Sequence, residues 1–291
     1  MCYYNGQRVT RDEYIRLKHL EKLVARYDFL NRDLVQGFDY GLKAVCKPLE
    51  GKEDFDIVEM EWGYLPDKWF GKPIDTREKV ERFRKGFPSL SGKMEPGITT
   101  LNAMAEELLL SGKIYREAAL QRRVLIISTG FYEWRHIYRT NKKTGQPLKT
   151  PDKYPYFITL KHKPYFYMAG IWKPWTDTVT GEYVETCAII TTDATAHKLM
   201  SQVHNSKLRM PTILNEDLAY EWLFGNLDEK RILEIAATPY PAEEMQAWSI
   251  KKDFRQSLCP ADPFDYADLQ PLELDGDEGT KAMATKPHTL F

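Results

Sequence analysis

The hydrophobic residues of this chain are concentrated in short runs that are rich in β-branched and aromatic side chains and are bounded by Gly, Pro or Asp. Runs of this length and composition are typical of β-strands. Residues 156–160 and 165–172 are separated only by four residues that end in Pro164, which predicts a hairpin. The five strands predicted in this way are residues 56–62, 124–128, 156–160, 165–172 and 187–192.

Three other segments predict helices. In residues 10–27 apolar residues recur at helical spacing, and Thr10 with Glu13 forms a capping box. Asn102 is a candidate N-cap for a helix over residues 103–111 that Gly112 would end. Asn215 is likewise a candidate N-cap for a helix over residues 216–224, which Gly225 would end. The apolar face of the first helix would comprise Tyr14, Leu17, Leu20, Val24 and Tyr27.

The order of these elements predicts the fold class. Strands and helices do not alternate regularly, which favours an α+β fold over a doubly wound one. We therefore expect a β-rich domain with mixed or antiparallel sheets and peripheral helices. The predicted domain covers residues 1–255.

The end of the chain differs in composition from the rest. Residues 256–291 contain seven acidic residues and two lysines, and the first 255 residues contain 39 basic and 35 acidic residues. We expect an acidic, flexible tail from residue 256 onward. The small positive excess before it permits a phosphate-binding patch without requiring one.

The overall composition limits the classes of protein to which this chain can belong. The chain has 291 residues, 43% hydrophobic and 29% charged, as in an ordinary globular protein. No apolar run reaches the ~18 residues that a transmembrane helix needs. The N-terminal residues carry no charged segment that leads into an apolar stretch, so we expect no secretory signal. We expect an intracellular protein without membrane association, cytoplasmic or nucleoid-associated if it is bacterial.

The four cysteines are scattered and form no CxxC pair, which disfavours a disulfide framework or a zinc site. We expect no metal and no cofactor. Cys46 and Cys187 lie in apolar runs and are expected to be small buried side chains. Cys2 differs from them because it directly follows the initiator methionine.

Three polar residues are candidates for chemistry, although each has an ordinary structural explanation. Glu133 lies inside an apolar aromatic run, where a carboxylate either faces water on an edge strand or is held in a cleft with a perturbed pKa. His204 follows Val203, and a histidine in such a position is more often a buried structural residue than a catalyst. Asn102 could serve only as a helix cap.

Taken together, eight sequence blocks resemble the SRAP family, the SOS-response-associated peptidase or abasic-site processing proteins. They occur in the family's order from Cys2 to Leu214, and this order makes the resemblance specific although each block is common. The blocks are Met1-Cys2, Trp62-Gly63-Tyr64-Leu65-Pro66, Asn102-Ala103-Met104-Ala105-Glu106, Arg122-Arg123-Val124-Leu125-Ile126, Gly130-Phe131-Tyr132-Glu133-Trp134, Ala169-Gly170-Ile171-Trp172, Thr191-Thr192-Asp193-Ala194, and His204 with Arg209-Met210-Pro211-Thr212-Ile213-Leu214.

The resemblance implies a covalent reaction with abasic sites in single-stranded DNA. Once Met1 is removed, Cys2 presents an α-amine and a thiol on adjacent carbons. The amine can attack the open-chain aldehyde of an abasic site, and the thiol can then close a thiazolidine ring. In the family's pattern Glu133 shuttles protons, His204 assists sugar-ring opening and Asn102 orients the nucleophile or sugar. Self-removal of Met1 and an AP-lyase type of activity are also implied.

The resemblance also suggests DNA contacts, with several departures. Arg122, Arg123, Arg209 and Lys207 are candidate phosphate ligands, and Trp62, Trp69 and Phe70 are candidates for base stacking. Each arginine has a structural salt-bridge alternative, and Trp62 could equally be a core residue. This chain departs from the family's pattern in four places: Met104 where the family has Arg, Tyr3-Tyr4 after Cys2, a longer spacing from His204 to Arg209, and a basic insertion at residues 139–153.

Two other functions remain open. An N-terminal-nucleophile amidohydrolase would also use a processed Cys2, but its strand from residue 2 is not expected because Gly6 and the predicted helix from Thr10 leave little room. A non-covalent reader of modified DNA bases on the same fold would bind DNA reversibly and would not need Cys2.

Overall fold

A computed structural model describes residues 2–10, 13–88 and 92–274, and β-strands dominate this part of the chain. The helices are α1 (Arg77–Lys85), α2 (Arg116–Gln121), α3 (Met200–Val203), α4 (Glu216–Phe224) and α5 (Glu229–Ala236). The strands are β1 (Tyr4–Gly6), β2 (Tyr14–Leu17), β3 (Leu20–Leu23), β4 (Val35–Gln36), β5 (Leu42–Pro48), β6 (Phe55–Trp62), β7 (Lys68–Trp69), β8 (Lys72–Pro73), β9 (Gly86–Pro88), β10 (Met94–Pro96), β11 (Asn102–Met104), β12 (Arg123–Ser128), β13 (Gly130–Ile137), β14 (Asp152–Leu160), β15 (Phe166–Thr176), β16 (Tyr183–Asp193), β17 (Arg209–Pro211), β18 (Ile213–Leu214) and β19 (Met245–Ser249).

Two sheets organise the fold. The smaller has the order β19-β14-β13-β1-β4 and is antiparallel throughout. The larger has the order β11-β16-β6-β5-β12-β15-β18, with β17 also on β16. Because β15 pairs with both β12 and β16, five strands of the larger sheet close on themselves. β16 is parallel to β6 and β11, so this sheet is mixed. The predicted α+β class is confirmed.

Side chains of the larger sheet alternate between two hydrophobic clusters, as the pleat of a strand requires. On β12, Leu125 and Ile127 belong to a cluster that includes residues of α2, α4 and α5. Val124 and Ile126 belong to a second cluster, which includes Cys2 and side chains of β13 and β14 from the smaller sheet. The space between the two sheets is therefore where the candidate nucleophile lies.

Most of the predicted elements are confirmed. The five predicted strands correspond to β6, β12, β14, β15 and β16, and the third predicted helix is α4. Asn215 caps α4 as expected, since its side chain accepts a hydrogen bond from the backbone of Leu218 at 2.9 Å. The helix ends before Gly225.

The predicted helix over residues 10–27 is wrong. Within the described residues of this segment, β2 and β3 form a hairpin that turns at Lys18, whose φ is 54°. Ile15 and Leu17 are fully buried and alternate with exposed neighbours, a period of two that competed with the helical spacing. Thr10 and Glu13 do form one hydrogen bond of a capping box, from the Thr10 amide to Glu13 Oε2 at 2.9 Å, without a helix following.

Three further local predictions are wrong. Residues 156–160 and 165–172 do not form a hairpin with each other, because β14 and β15 belong to different sheets. Asn102 does not cap a helix: β11 begins there and pairs in parallel with β16, and a short 3₁₀ turn (Ala105–Glu107) follows. A strand does form close to residue 2, since β1 pairs with both β13 and β4.

The first part of the segment assigned to the acidic tail lies against the folded body. The Tyr266 hydroxyl donates to the backbone oxygen of Ile250 at 2.7 Å. Arg135 donates to the backbone oxygen of Gln270 at 2.6 Å, and Leu272 packs against the cluster between the sheets. The rest of the predicted tail, residues 275–291, lies outside the described residues. No helix in the described part of the chain is long and apolar enough to span a membrane.

Candidate functional site

Glu133 is a buried carboxyl in the middle of strand β13. It is 5% exposed, and this burial raises its pKa to about 8. The strand can begin at Gly130 only because that residue has no side chain: a Cβ there would lie 2.0 Å from the ring of Phe157. Phe157 packs with Tyr132 on the opposite face of the sheet from Glu133. At neutral pH the carboxyl group of Glu133 is therefore mainly protonated.

His204 faces this carboxyl group from the end of α3. Its Nε2 lies 3.5 Å from Glu133 Oε2, and its Nδ1 lies 2.7 Å from the backbone oxygen of Arg209. Since a carbonyl oxygen only accepts, Nδ1 carries the hydrogen and Nε2 presents its lone pair to Glu133. Burial lowers the pKa of His204 to about 4. The two side chains thus form a neutral acid–base pair rather than an ion pair.

Cys2 lies beside this pair and is held through its backbone. The Asn102 side-chain amide donates to the Cys2 carbonyl oxygen at 3.0 Å. Cys2 is 1% exposed, and burial, followed by the charge of Glu133, raises the pKa of its thiol to about 12. The side-chain oxygen of Asn102 is buried and makes no hydrogen bond within the described residues. It is an acceptor available next to Cys2.

These contacts unite four residues that are far apart in sequence, which we call the polar cluster: Cys2, Asn102, Glu133 and His204. The cluster combines a nucleophile, a carboxyl group that is protonated at neutral pH, a neutral imidazole and an amide. Such a set can move protons to and from a reacting group. Among the described residues, no group of His, Cys, Asp and Glu side chains is arranged to hold a metal ion.

Sequence reasoning missed a second buried feature, the pair formed by Lys43 and Asn5. Both side chains are 0% exposed, and Lys43 Nζ donates to Asn5 Oδ1 at 2.6 Å. The Asn5 amide donates in turn to Ser128 Oγ at 2.6 Å and to the Gly130 carbonyl oxygen at 3.2 Å. The available signal was a lysine inside the apolar run Leu42–Pro48, on the same face of the strand as buried Val45.

The structure corrects the predicted DNA contacts of Trp62 and Arg123. Trp62 is fully buried and its indole donates to the Leu101 carbonyl oxygen at 2.9 Å, so it is a core residue and does not stack on bases. Arg123 donates to backbone oxygens near the ends of α2 and α4, including those of Trp222 at 2.8 Å and Gly225 at 2.6 Å. Its guanidinium is used to join these helices and is not a phosphate ligand.

The other basic candidates fall into two groups. Arg209 is 9% exposed. Its guanidinium donates to Glu106, with 2.8 Å between Nη2 and Oε2, and to the Thr191 carbonyl oxygen. Arg209 therefore forms a structural salt bridge, as the alternative interpretation expected. Arg122 forms an ion pair with Glu117 at 3.0 Å and retains partial exposure. Lys207 is exposed in the turn that follows His204. For Arg122 and Lys207, phosphate binding stays a prediction.

Trp69 and Phe70 lie at an open groove of about 670 Å³. Phe70 is 90% exposed, and its ring centroid is 5.1 Å from that of Trp69. Tyr115 also lines the groove, and its hydroxyl donates to the Asn102 backbone oxygen at 3.3 Å. The groove therefore adjoins the polar cluster through strand β11. Trp69 is partly buried and Phe70 is exposed, so Phe70 presents the aromatic surface that bases could stack on.

Comparison with known proteins gives consistent results. A family model described as SOS response associated peptidase (SRAP) matches residues 35–257. The chain is 32% identical over 194 residues to the abasic site processing protein YoqW of Bacillus subtilis (strain 168), covering 67% of this chain and 69% of that protein. It is 28% identical over 255 residues to the abasic site processing protein HMCES of Gallus gallus, covering 80% of this chain and 63% of that protein.

Solved structures show the same architecture. A protein from Bacteroides thetaiotaomicron aligns with a TM-score of 0.64 and 26% identity, covering 90% of this chain and 97% of that one. A phage-related protein from Bordetella bronchiseptica aligns with a TM-score of 0.55 and 17% identity, covering 86% and 95%. The second likeness shows the fold alone.

Proposed function

Because the chain belongs to the SRAP family, we propose that it processes abasic sites in single-stranded DNA by forming a covalent adduct on Cys2. The observation that carries the proposal is the polar cluster, in which Glu133 and His204 face each other beside a cysteine at position 2. The names of the curated relatives point to the same substrate. The proposal requires that Cys2 be the N-terminal residue of the working protein.

The chemistry proceeds in two steps on one residue. The α-amine of Cys2 adds to the aldehyde carbon of the ring-opened sugar, and loss of water gives a protonated imine. The thiol sulfur then bonds to the same carbon while the π electrons of the imine move to nitrogen, which yields a thiazolidine. Because sulfur and nitrogen belong to one residue, the second step is intramolecular and is favoured by proximity. An imine intermediate also provides a route to strand cleavage of the AP-lyase type.

The neighbours of Cys2 have distinct roles in this proposal. Glu133, protonated at neutral pH, donates a proton to the departing hydroxyl group. His204 Nε2 accepts a proton from the sugar hydroxyl as the ring opens, and its Nδ1 stays fixed on Arg209. Asn102 positions the Cys2 backbone and offers Oδ1 to the nucleophile or sugar. The same carboxyl group of Glu133 would serve in self-removal of Met1, the peptidase activity in the family description.

Single-strand preference is supported by the surface beside the cluster. The groove with Trp69 and Phe70 offers stacking to bases irrespective of sequence, which suits a lesion that has no base. Lys207 and the exposed lysines of residues 139–153 supply positive charge for phosphates. DNA is an intracellular partner, and we accordingly propose an intracellular location.

The proposal is tested with purified protein and an abasic oligonucleotide, in single- and double-stranded form, on a heated denaturing gel. We expect a heat-stable shifted band with the single strand. Cys2→Ser should give only a reversible imine that borohydride traps, because the amine remains and the thiol is lost. A wild-type protein that leaves the oligonucleotide unshifted would overturn the proposal.

The alternatives predict different results in the same preparation. An N-terminal-nucleophile amidohydrolase would hydrolyse small amides at Cys2, and the presence of β1 removes the topological objection to it. A non-covalent reader of modified bases would bind DNA reversibly and would bind equally well after Cys2→Ala. Parallel amide-hydrolysis and filter-binding assays separate the three functions.

A further inference from the structure

Lys43 is a fully buried lysine that the proposed reaction has not yet used. It lies on β5 and its side chain enters the space between the two sheets, where Nζ is 2.6 Å from Asn5 Oδ1 and 4.3 Å from the centroid of the Trp62 ring. Buried lysines are rare unless a carboxylate pairs with them. Within the described residues, Lys43 has no such ion pair. Its hydrogen-bonding partner is instead a neutral amide on the strand that follows Cys2.

The titratable groups that face Lys43 are two thiols and one arginine. Cys2 comes from the N-terminal segment and Cys187 from β16, and both favour the charged form of Lys43; Arg32 disfavours it. Burial is the largest influence and lowers the pKa of Lys43 to about 7. The coupling is mutual, since the charge of Lys43 lowers the pKa of the Cys2 thiol while Glu133 raises it.

From this placement we propose that Lys43 is a positioning residue for ring closure, whose ammonium fixes the Cys2 segment through Asn5 and favours the thiolate form of Cys2 in the space between the sheets. This role rests on the proposed function. A lone thiolate would be costly in this dry space, whereas a thiolate beside a buried ammonium is balanced by an opposite charge. The Trp62 face and the Asn5 oxygen then stabilise the ammonium.

The proposed step is balanced without any added reactant. The S–H bond of Cys2 breaks and its proton passes to the carboxylate that Glu133 becomes once it has protonated the departing hydroxyl group. The sulfur electron pair forms the C–S bond to the carbon of the protonated imine, and the π pair moves to the imine nitrogen, which becomes neutral. Lys43 keeps its proton throughout, and Glu133 regains the proton that it gave up.

The test compares Lys43→Met and Lys43→Gln with wild type after circular dichroism has shown that each variant is folded. The matched control is Lys47→Met, since Lys47 lies on the same strand, 4.1 Å from the Trp172 ring centroid, but pairs with Glu185. Thiazolidine formation with the abasic single strand is followed against pH, and the preceding imine is trapped with borohydride. A second assay follows iodoacetamide alkylation of Cys2 against pH by peptide mapping.

We expect both Lys43 variants to close the ring at least tenfold more slowly at pH 7, with profiles displaced to higher pH and with the imine still trapped. Lys47→Met should stay within twofold of wild type. Unchanged profiles in Lys43→Met, or restoration of wild-type behaviour by Lys43→Gln, would overturn the proposed role of the Lys43 charge. If wild type forms no adduct, the proposed function fails, but the alkylation profiles still decide whether Lys43 controls the thiol.

Discussion

Two regions of the molecule differ in the partners that they give to a buried carboxyl group. Glu61, on β6, pairs with Arg84 at 2.7 Å and with Arg77 at 3.0 Å, and Arg77 also binds Glu182; we call these four residues the ion-pair cluster. Glu133, on β13, instead faces a neutral histidine in the polar cluster. The lysines of β5 repeat the contrast, because Lys47 pairs with Glu185 whereas Lys43 binds the amide of Asn5.

The difference between the two clusters shows which of them can exchange protons near neutral pH. In the ion-pair cluster each charge is held by an opposite charge, which stabilises a single ionisation state. In the polar cluster, burial raises the pKa of Glu133 to about 8, and near it burial lowers the pKa of Lys43 to about 7. Groups with such values exchange protons near neutral pH, as acid–base catalysis requires. The following predictions use this contrast, starting with the largest effect.

Cys2→Ala is expected to abolish the heat-stable adduct, because the thiol that closes the ring is lost. The fold should be retained, since only one sulfur atom leaves the space between the sheets. Cys259→Ala is the control, as Cys259 is an exposed free thiol outside both clusters. It should leave adduct formation unchanged on a denaturing gel. Equal loss in both variants would contradict a special role for Cys2.

Glu133→Gln should slow adduct formation about 100-fold, the scale of a lost general acid or base, with little loss of stability. Glu61→Gln should do the reverse: the rate per folded molecule stays the same, and the free energy of unfolding falls by about 3 kcal/mol because two arginines lose a partner. Single-turnover kinetics and urea denaturation measure the two effects. If both variants lose the same property, the distinction between the clusters fails.

His204→Gln should slow adduct formation by no more than about 100-fold, the lower end of the range for a lost general base, because the imidazole Nε2 that faces Glu133 is lost. His197 is the matched control, as it is also buried but uses both ring nitrogens structurally, on the Tyr240 carbonyl oxygen at 2.8 Å and the Met200 amide at 3.0 Å. His197→Gln should reduce thermal stability and leave the rate per folded molecule within twofold. A slower rate in His197→Gln alone would contradict the assignment.

The free energy of unfolding should depend on pH because of Glu133, and the raised pKa of this carboxyl group fixes the direction of the change. Its pKa is raised from 4.5 to about 8 on folding, so its contribution is complete at low pH and is lost as pH rises toward 8. The free energy of unfolding of wild type, relative to Glu133→Gln, should therefore fall by about 1 kcal/mol per pH unit between pH 6 and 8. Lys43 and His204 titrate in both proteins and cancel in the comparison. A difference that is constant with pH would contradict a protonated Glu133.

The fold class and the polar cluster could be predicted from the sequence, but the local errors have a common cause. Asn102 precedes a segment with helical composition, yet its pairing with β16 and its hydrogen bond to Cys2 are contacts with distant residues. The β2–β3 hairpin likewise depends on tertiary burial of Ile15 and Leu17. Local patterns do not report such contacts, whereas α4, with its own cap at Asn215, was predicted correctly.

The buried environment of the site was also beyond a motif-based prediction. The blocks around Trp62 and Arg123 marked positions that proved to support the core, because sequence similarity does not say which way a side chain points. Lys43 belongs to no block, and its position becomes significant only when β5 and β1 meet and bring it to Asn5. The residues of the polar cluster were found because each lies in a block of its own.

The most direct test of the central claim is the intact mass of the product formed from wild-type protein and an abasic single-stranded oligonucleotide. We predict a species whose mass equals the chain without Met1 plus the oligonucleotide minus one water, with fragmentation that places the link on Cys2. A reaction mixture that contains only the two unmodified masses, or a link to any other residue, would contradict the account.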